Sequence, residues 1–144
     1  MNAAPRTESR TADRPCAVLL VEDEQCIRDV LVELFEIDGT AAEAVATLDD
    51  ARAALARREF DLIVTDLRLG GKRDGGLQVM AASGLLSPDA TVVVLTAFPD
   101  EENRHACERL GATHFLEKPV DLQVIATLAA GCGVPTAMRP HPPS

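Results

Sequence analysis

The chain has 144 residues, 47% of them hydrophobic, with four Phe, no Tyr and no Trp, enough for one domain with an aliphatic core. A net charge of −9 and a pI near 4.7 argue against direct contact with nucleic acid or an anionic membrane. No stretch approaches the ~20 apolar residues of a membrane span. Cys16, Cys26, Cys107 and Cys132 lack zinc or C-x-x-C spacing, which reads as reduced thiols of a cytoplasmic protein.

Residues 1–14 are polar and without periodicity, and are expected to form a disordered arm. The folded unit is expected over 15–131. A flexible tail is expected over 132–144, where Pro135, Pro140, Pro142 and Pro143 cluster.

Within the folded unit, short β-branched runs alternate with helical patterns. The run AVLLV (17–21) reads as a strand and ends in Glu22-Asp23. Ile27, Val30, Leu31, Leu34 and Phe35 then recur at helical spacing, with Gly39 as a stop. A weak strand follows at about 41–46. An Ala-rich helix comes next at about 48–58, with Thr47 or Asp49 as its cap. A third strand, 61–65, runs into Asp66, then a Gly-rich loop and a short helix at about 76–86.

The fourth strand, 91–95, ends in Thr96-Ala97. Pro99 and three acids (Asp100, Glu101, Glu102) mark the start of the next helix, where the acids suit the helix dipole. That helix offers only Ala106, Cys107 and Leu110 as core anchors, and Gly111 ends it. A fifth strand at 113–116 leads to Lys118-Pro119, and Asp121 can cap a final helix to about 130. In that helix Val124, Ile125 and Leu128 are expected to face the sheet, leaving Leu122, Ala126 and Ala129 as a modest apolar patch.

Strict alternation of five strands and five helices implies an α/β, doubly wound parallel sheet with right-handed crossovers. Ligands of such sheets bind beyond the carboxyl ends of the strands, at a topological switch point. Three carboxylates, a hydroxyl and an ammonium are therefore delivered to one rim. Carboxylates so close repel in a low dielectric, so either one is protonated or a cation sits among them. A hard cation that keeps its waters, such as Mg²⁺, fits oxygen ligands of this kind.

In order, LLVEDE, DLIVTDLRL, VVVLTAF and FLEKPVD carry a resemblance to the receiver domain of two-component response regulators, over about 16–130. The resemblance implies a CheY-like, flavodoxin-like (βα)5 fold with strand order 2-1-3-4-5. It implies Asp66 as the acceptor of a phosphoryl group from a sensor histidine kinase or histidine phosphotransfer protein. Glu22, Asp23, Asp66 and the backbone carbonyl of Arg68 are implied as Mg²⁺ ligands, Glu22 through water, with Mn²⁺ able to substitute. Thr96 and Lys118 are implied as partners of the phosphoryl oxygens. Lys118-Pro119 is implied to be cis, and Thr96 and Phe115 to be switch residues acting on the face of the fourth helix, fifth strand and fifth helix. Phe115 could equally be a plain strand residue.

The chain departs from the family pattern in two places. Glu22 stands where an Asp is common. The loop at 67–76 is longer, with Gly70 in place of a usual Pro, which predicts a more flexible loop. Arg68 and Phe98 are read as tuning the phosphoryl lifetime by crowding the approach of water, against the alternative that both point to solvent. The expected function is a phosphorelay receiver that is not an enzyme with an external substrate. The alternative is a receiver-like adaptor that binds without phosphorylation; its usual mark, loss of the Asp, Lys or acidic pair, is not seen. A phosphohydrolase with an Asp nucleophile would need a second acid two residues on, where Arg68 stands.

Overall fold

The computed structural model describes residues 15–70 and 75–138. The expected arm at 1–14, residues 71–74 of the Gly-rich loop and the tail beyond 138 lie outside them.

Five strands and five helices alternate: β1 (Cys16–Val21), α1 (Gln25–Phe35), β2 (Thr40–Val45), α2 (Leu48–Arg57), β3 (Leu62–Asp66), α3 (Gly75–Leu86), β4 (Thr91–Thr96), α4 (Glu101–Arg109), β5 (His114–Glu117) and α5 (Leu122–Gly131). All strand pairs are parallel, in the order β2-β1-β3-β4-β5. Strands β1, β3 and β4 are buried almost throughout, which is why they read as continuous rather than alternating apolar runs. Side chains alternate between two cores. Leu19, Val21, Ile63, Val94 and Cys107 lie in one, and Val18, Leu20, Val64, Leu95 and Ile125 in the other.

Local chemistry fixes the helix starts. Thr47, rather than Asp49, caps α2, its Oγ1 accepting from the Asp50 N–H at 3.1 Å. Asp100 caps α4 through the Asn103 N–H at 2.7 Å, and Asp121 caps α5 through the Gln123 N–H at 2.9 Å. Each such cap satisfies an N–H that the helix cannot, typically contributing ~1 kcal/mol.

Besides Leu110, which is exposed at the end of α4 rather than anchored in the core, two expectations differ from the structure. In α5 the buried residues are Ile125, Ala126 and Ala129, while Val124 is exposed. Two alanines and Ile125 take the inward positions, in the core shared with α1, and Val124 is turned to solvent. The second difference is the segment after α5, where the flexible tail expected from Cys132 is instead packed as far as Met138. Val134 is buried in the α1–α5 core. The Ala137 N–H donates to the Leu34 carbonyl at 2.7 Å, and Thr40 Oγ1 donates to the Pro135 carbonyl at 2.9 Å. Leu34 lies in the last turn of α1, whose carbonyls lack partners within the helix. The segment therefore caps one helix while extending another.

Candidate functional site

The chain leaves β1 toward β2 on one side and, by way of β3, toward β5 on the other, so the direction of winding changes between β1 and β3. A crevice opens there, beyond the strand ends. Glu22 follows β1, Asp66 ends β3, Thr96 ends β4 and Lys118 follows β5. The Lys118 N–H donates to the Thr96 carbonyl at 2.7 Å, extending the ladder one residue past β5, and the Lys118-Pro119 bond is cis. A cleft of about 250 Å³ results, lined by Asp23, Glu24, Asp66, Arg68, Thr96, Phe98 and Lys118 among others.

Lys118 lies at the centre of the charges. Its Nζ lies 3.2 Å from Asp66 Oδ2 and 3.0 Å from Glu22 Oε1, with Glu24 further off at 3.9 Å. The Asp66 contact is a hydrogen bond, while the Glu22 contact is ionic and off the hydrogen-bond angle. Glu22 is wholly buried, and its other oxygen accepts from the Glu24 N–H at 3.1 Å. Arg28 donates to the Glu22 carbonyl at 2.9 Å, tying α1 to the end of β1. Asp66 Oδ1 accepts from the Arg68 N–H at 3.3 Å, and Asp23 Oδ2 from the Gly70 N–H at 3.0 Å, so the loop after Asp66 is pinned from both sides. Thr96 Oγ1 accepts from the Phe98 N–H at 3.1 Å, which leaves the hydroxyl proton available to donate.

Burial pushes the Glu22 carboxyl up to about 7, against the pull of the Glu24 N–H and Lys118. Burial also raises Asp66, opposed chiefly by the Lys118 charge. Burial alone would lower Lys118, but its contacts with Glu22 and Asp66 outweigh this and the net shift is upward. Two buried acids raised and a cation held between them describe a site short of positive charge. One carboxylate oxygen each from Glu22, Asp23 and Asp66 falls within 4.8 Å of the others. Ligands of one Mg²⁺ at its usual 2.0–2.1 Å stand about 3 to 4.2 Å apart, so oxygens at this spacing fit the surroundings of one such ion. Glu22 Oε1, buried without a hydrogen bond among the described residues, fits the same need.

At the rim, the Arg68 guanidinium stacks over the Phe98 ring, 5.2 Å from its centroid. Phe98 is largely exposed. Phe115 lies half-buried on β5 beneath Arg104. Sequence reasoning overlooked Gly76, treating the glycines here only as a source of flexibility. A Cβ on Gly76 would lie 2.4 Å from the Asp66 carbonyl oxygen and 2.6 Å from Leu67 Cα. The start of α3 thus presses on the backbone beside Asp66, and the Gly-Gly pair at a helix start was the available signal.

A sequence profile of the response regulator receiver domain matches residues 18–130. The chain belongs to that family. As a receiver domain of two-component signalling it has relatives of larger size. It is 32% identical over 120 residues to the alginate biosynthesis transcriptional regulatory protein AlgB of Pseudomonas aeruginosa, covering 83% of this chain and 26% of AlgB. It is 34% identical over 122 residues to the photosynthetic apparatus regulatory protein RegA of Rhodobacter capsulatus, covering 83% of this chain and 65% of RegA. The receiver therefore spans about a quarter of AlgB and just under two thirds of RegA. Among solved structures, a response regulator from Burkholderia pseudomallei with a phosphorylated aspartic acid, calcium ion and citrate superposes with a TM-score of 0.71. It is 30% identical, over 80% of this chain and 65% of that one. A receiver domain from Pseudomonas fluorescens Pf-5 gives a TM-score of 0.74 at 25% identity, over 83% and 94% of the two chains. No helix among the described residues is long and apolar enough to cross a membrane.

Proposed function

We propose that this receiver accepts a phosphoryl group on Asp66 from a phosphohistidine of a sensor histidine kinase or histidine phosphotransfer protein. An Asp66 carboxylate oxygen bonds to phosphorus as the bond from phosphorus to the donor imidazole nitrogen breaks. The imidazole leaves with that electron pair. Lys118, already within 3.2 Å of Asp66, meets the charge carried in by the phosphoryl oxygens. Thr96 donates its hydroxyl proton to one of them. Asp23, Asp66 and the Arg68 carbonyl would hold Mg²⁺ directly, or Mn²⁺ in its place, with Glu22 reaching it through water. When bound, the ion supplies positive charge to acids and phosphoryl group alike. Arg68 and Phe98 cover the outer side of the cleft and slow the approach of water, setting the lifetime of the product.

The observation that carries this reading is the Lys118 ammonium seated between two buried carboxylates at the ends of three strands. The phosphorylated aspartic acid of the Burkholderia relative supports it by similarity. Movement of Thr96 toward the phosphoryl oxygens leaves room for Phe115 to turn inward. That biases the face formed by α4, β5 and α5 toward a state that a protein target recognises.

The test is intact mass after incubation with Mg²⁺ and a small-molecule phosphodonor, beside Asp66→Ala. The reading expects an adduct of one phosphoryl group on the wild type alone. No adduct from either the small donor or a phosphorylated histidine phosphotransfer protein would overturn it in favour of an unphosphorylated adaptor.

A further inference from the structure

Helix α4 is held to the body of the domain by little. Of its nine residues only Cys107 is buried, and Asn103 and Ala106 are half-buried. At the far end the Ala112 N–H donates to the Cys107 carbonyl at 2.9 Å. One turn before Cys107, the Arg104 guanidinium lies over the Phe115 ring, 5.5 Å from its centroid. Residues three apart share a helix face, so Arg104 and Cys107 approach the sheet together. Among the described residues the acid paired with Arg104 is Glu101, at 4.0 Å and largely exposed. That is too long for a hydrogen bond and of the class that contributes little. The ring is therefore the main hold on the guanidinium.

Register fixes what Phe115 can reach. Phe115 pairs with Val94, and Thr96 pairs with Glu117. Residues two apart on a strand share a face, so Val94, Thr96 and Phe115 project to the same side. On that side Phe115 packs against the core that contains Val92, Val94 and Cys107. Phe115 is the diagonal neighbour of Thr96 on the face that α4 covers.

We infer that Arg104 is a positioning residue that latches α4 to the Phe115 ring, so that the ring's position and the helix's position change together. The inference rests on the proposed switching of Thr96 and Phe115 and adds the element that transmits it. In the resting state the guanidinium covers the outer face of the ring. When the ring turns toward Thr96 that face is withdrawn, and α4 is free to pivot about Cys107. Removing the guanidinium then favours the inward ring before any phosphoryl group arrives. For a cation–π contact at an exposed site the inward-to-outward ratio rises by about two- to five-fold.

The chain contains only four Phe, so ring signals from ¹³C-labelled phenylalanine can be resolved and Phe115 assigned with Phe115→Leu. The full chain, Arg104→Gln and Arg104→Lys would be recorded with and without Mg²⁺ and beryllofluoride, a stand-in for the acyl phosphate. Amide exchange across α4 is followed in parallel. In the wild type the Phe115 signal moves on adding beryllofluoride. In Arg104→Gln it starts part-way along the same path and α4 amides exchange faster, with Arg104→Lys in between. If the wild-type ring moves but both variants start at the wild-type position with unchanged exchange, the latch is overturned while the switch survives. A wild-type ring that stays put under saturating beryllofluoride overturns the switch reading and the latch with it.

Discussion

Neutralising Glu22 tests whether the buried acid sets the stability of the metal-free domain. In the folded chain this carboxyl is pushed up to about 7 from an ordinary 4.5. Between those values the folded state holds more proton than the unfolded state, so raising the pH removes stability, and the loss is complete above about 7. Lys118, raised above 10.5, stays charged throughout this range and adds no slope. From pH 5.5 to pH 8 the Glu22 contribution amounts to about 2 kcal/mol, at 1.36 kcal/mol for each pH unit up to 7. Glu22→Gln retains an acceptor for the Glu24 N–H but cannot ionise. In EDTA, thermal unfolding at the two pH values should show a drop in Tm for the wild type that exceeds the variant's by about 4 to 8 °C. Asp66, also raised, leaves both proteins a shared residual slope. Added Mg²⁺ should recover wild-type Tm more at pH 8 than at pH 5.5. Equal pH dependence in the two proteins would refute the argument that Glu22 is held protonated by its burial.

Three further outcomes follow from geometry. Gly76→Ala drives a Cβ into the Asp66 and Leu67 backbone, and should cost about 2–3 kcal/mol in urea unfolding. Replacing Arg68 and Phe98 together by Ala should shorten the phosphoryl half-life several-fold, measured by intact mass over time; an unchanged half-life would mean that both side chains are bystanders. Val134→Ala should lower stability by on the order of 2 kcal/mol, as measured by chemical denaturation, whereas a loose tail would give no change.

The sheet was legible because its three central strands are buried on both faces and each ends on, or just before, a polar residue. The runs AVLLV and TVVVLT admit little else, and the strand order followed from the family resemblance. The cluster of Glu22, Asp66 and Lys118 was likewise legible as a convergence of strand ends, since a parallel sheet gathers those ends at one rim. What escaped depended on contacts distant in sequence. The cap of α2 is the local exception: the helix starts at Leu48, so Asp49 lies inside it and Thr47 is the residue left with extended backbone to cap it. The rotation of α5, hiding Ala126 and exposing Val124, is set by the core it shares with α1. Val134 sits in a proline-containing stretch that reads as a tail, and only its burial against the α1–α5 core gives it a place. Arg68 on Phe98 and Arg104 on Phe115 join residues of different elements and have no local signature.

The packed segment after α5 also carries the chain past the head of β1 and back along α1. Cys16 Sγ, at the head of β1, lies 3.4 Å from the Gly133 carbonyl. Splicing this domain into a surface loop of another protein would therefore join it at the head of β1 on one side and, on the other, beside α1 after Met138. The cleft at the carboxyl ends of the strands lies at the opposite end of the sheet from Cys16. Any such graft should retain residues through Met138, because a cut at Cys132 would discard the segment that caps α1.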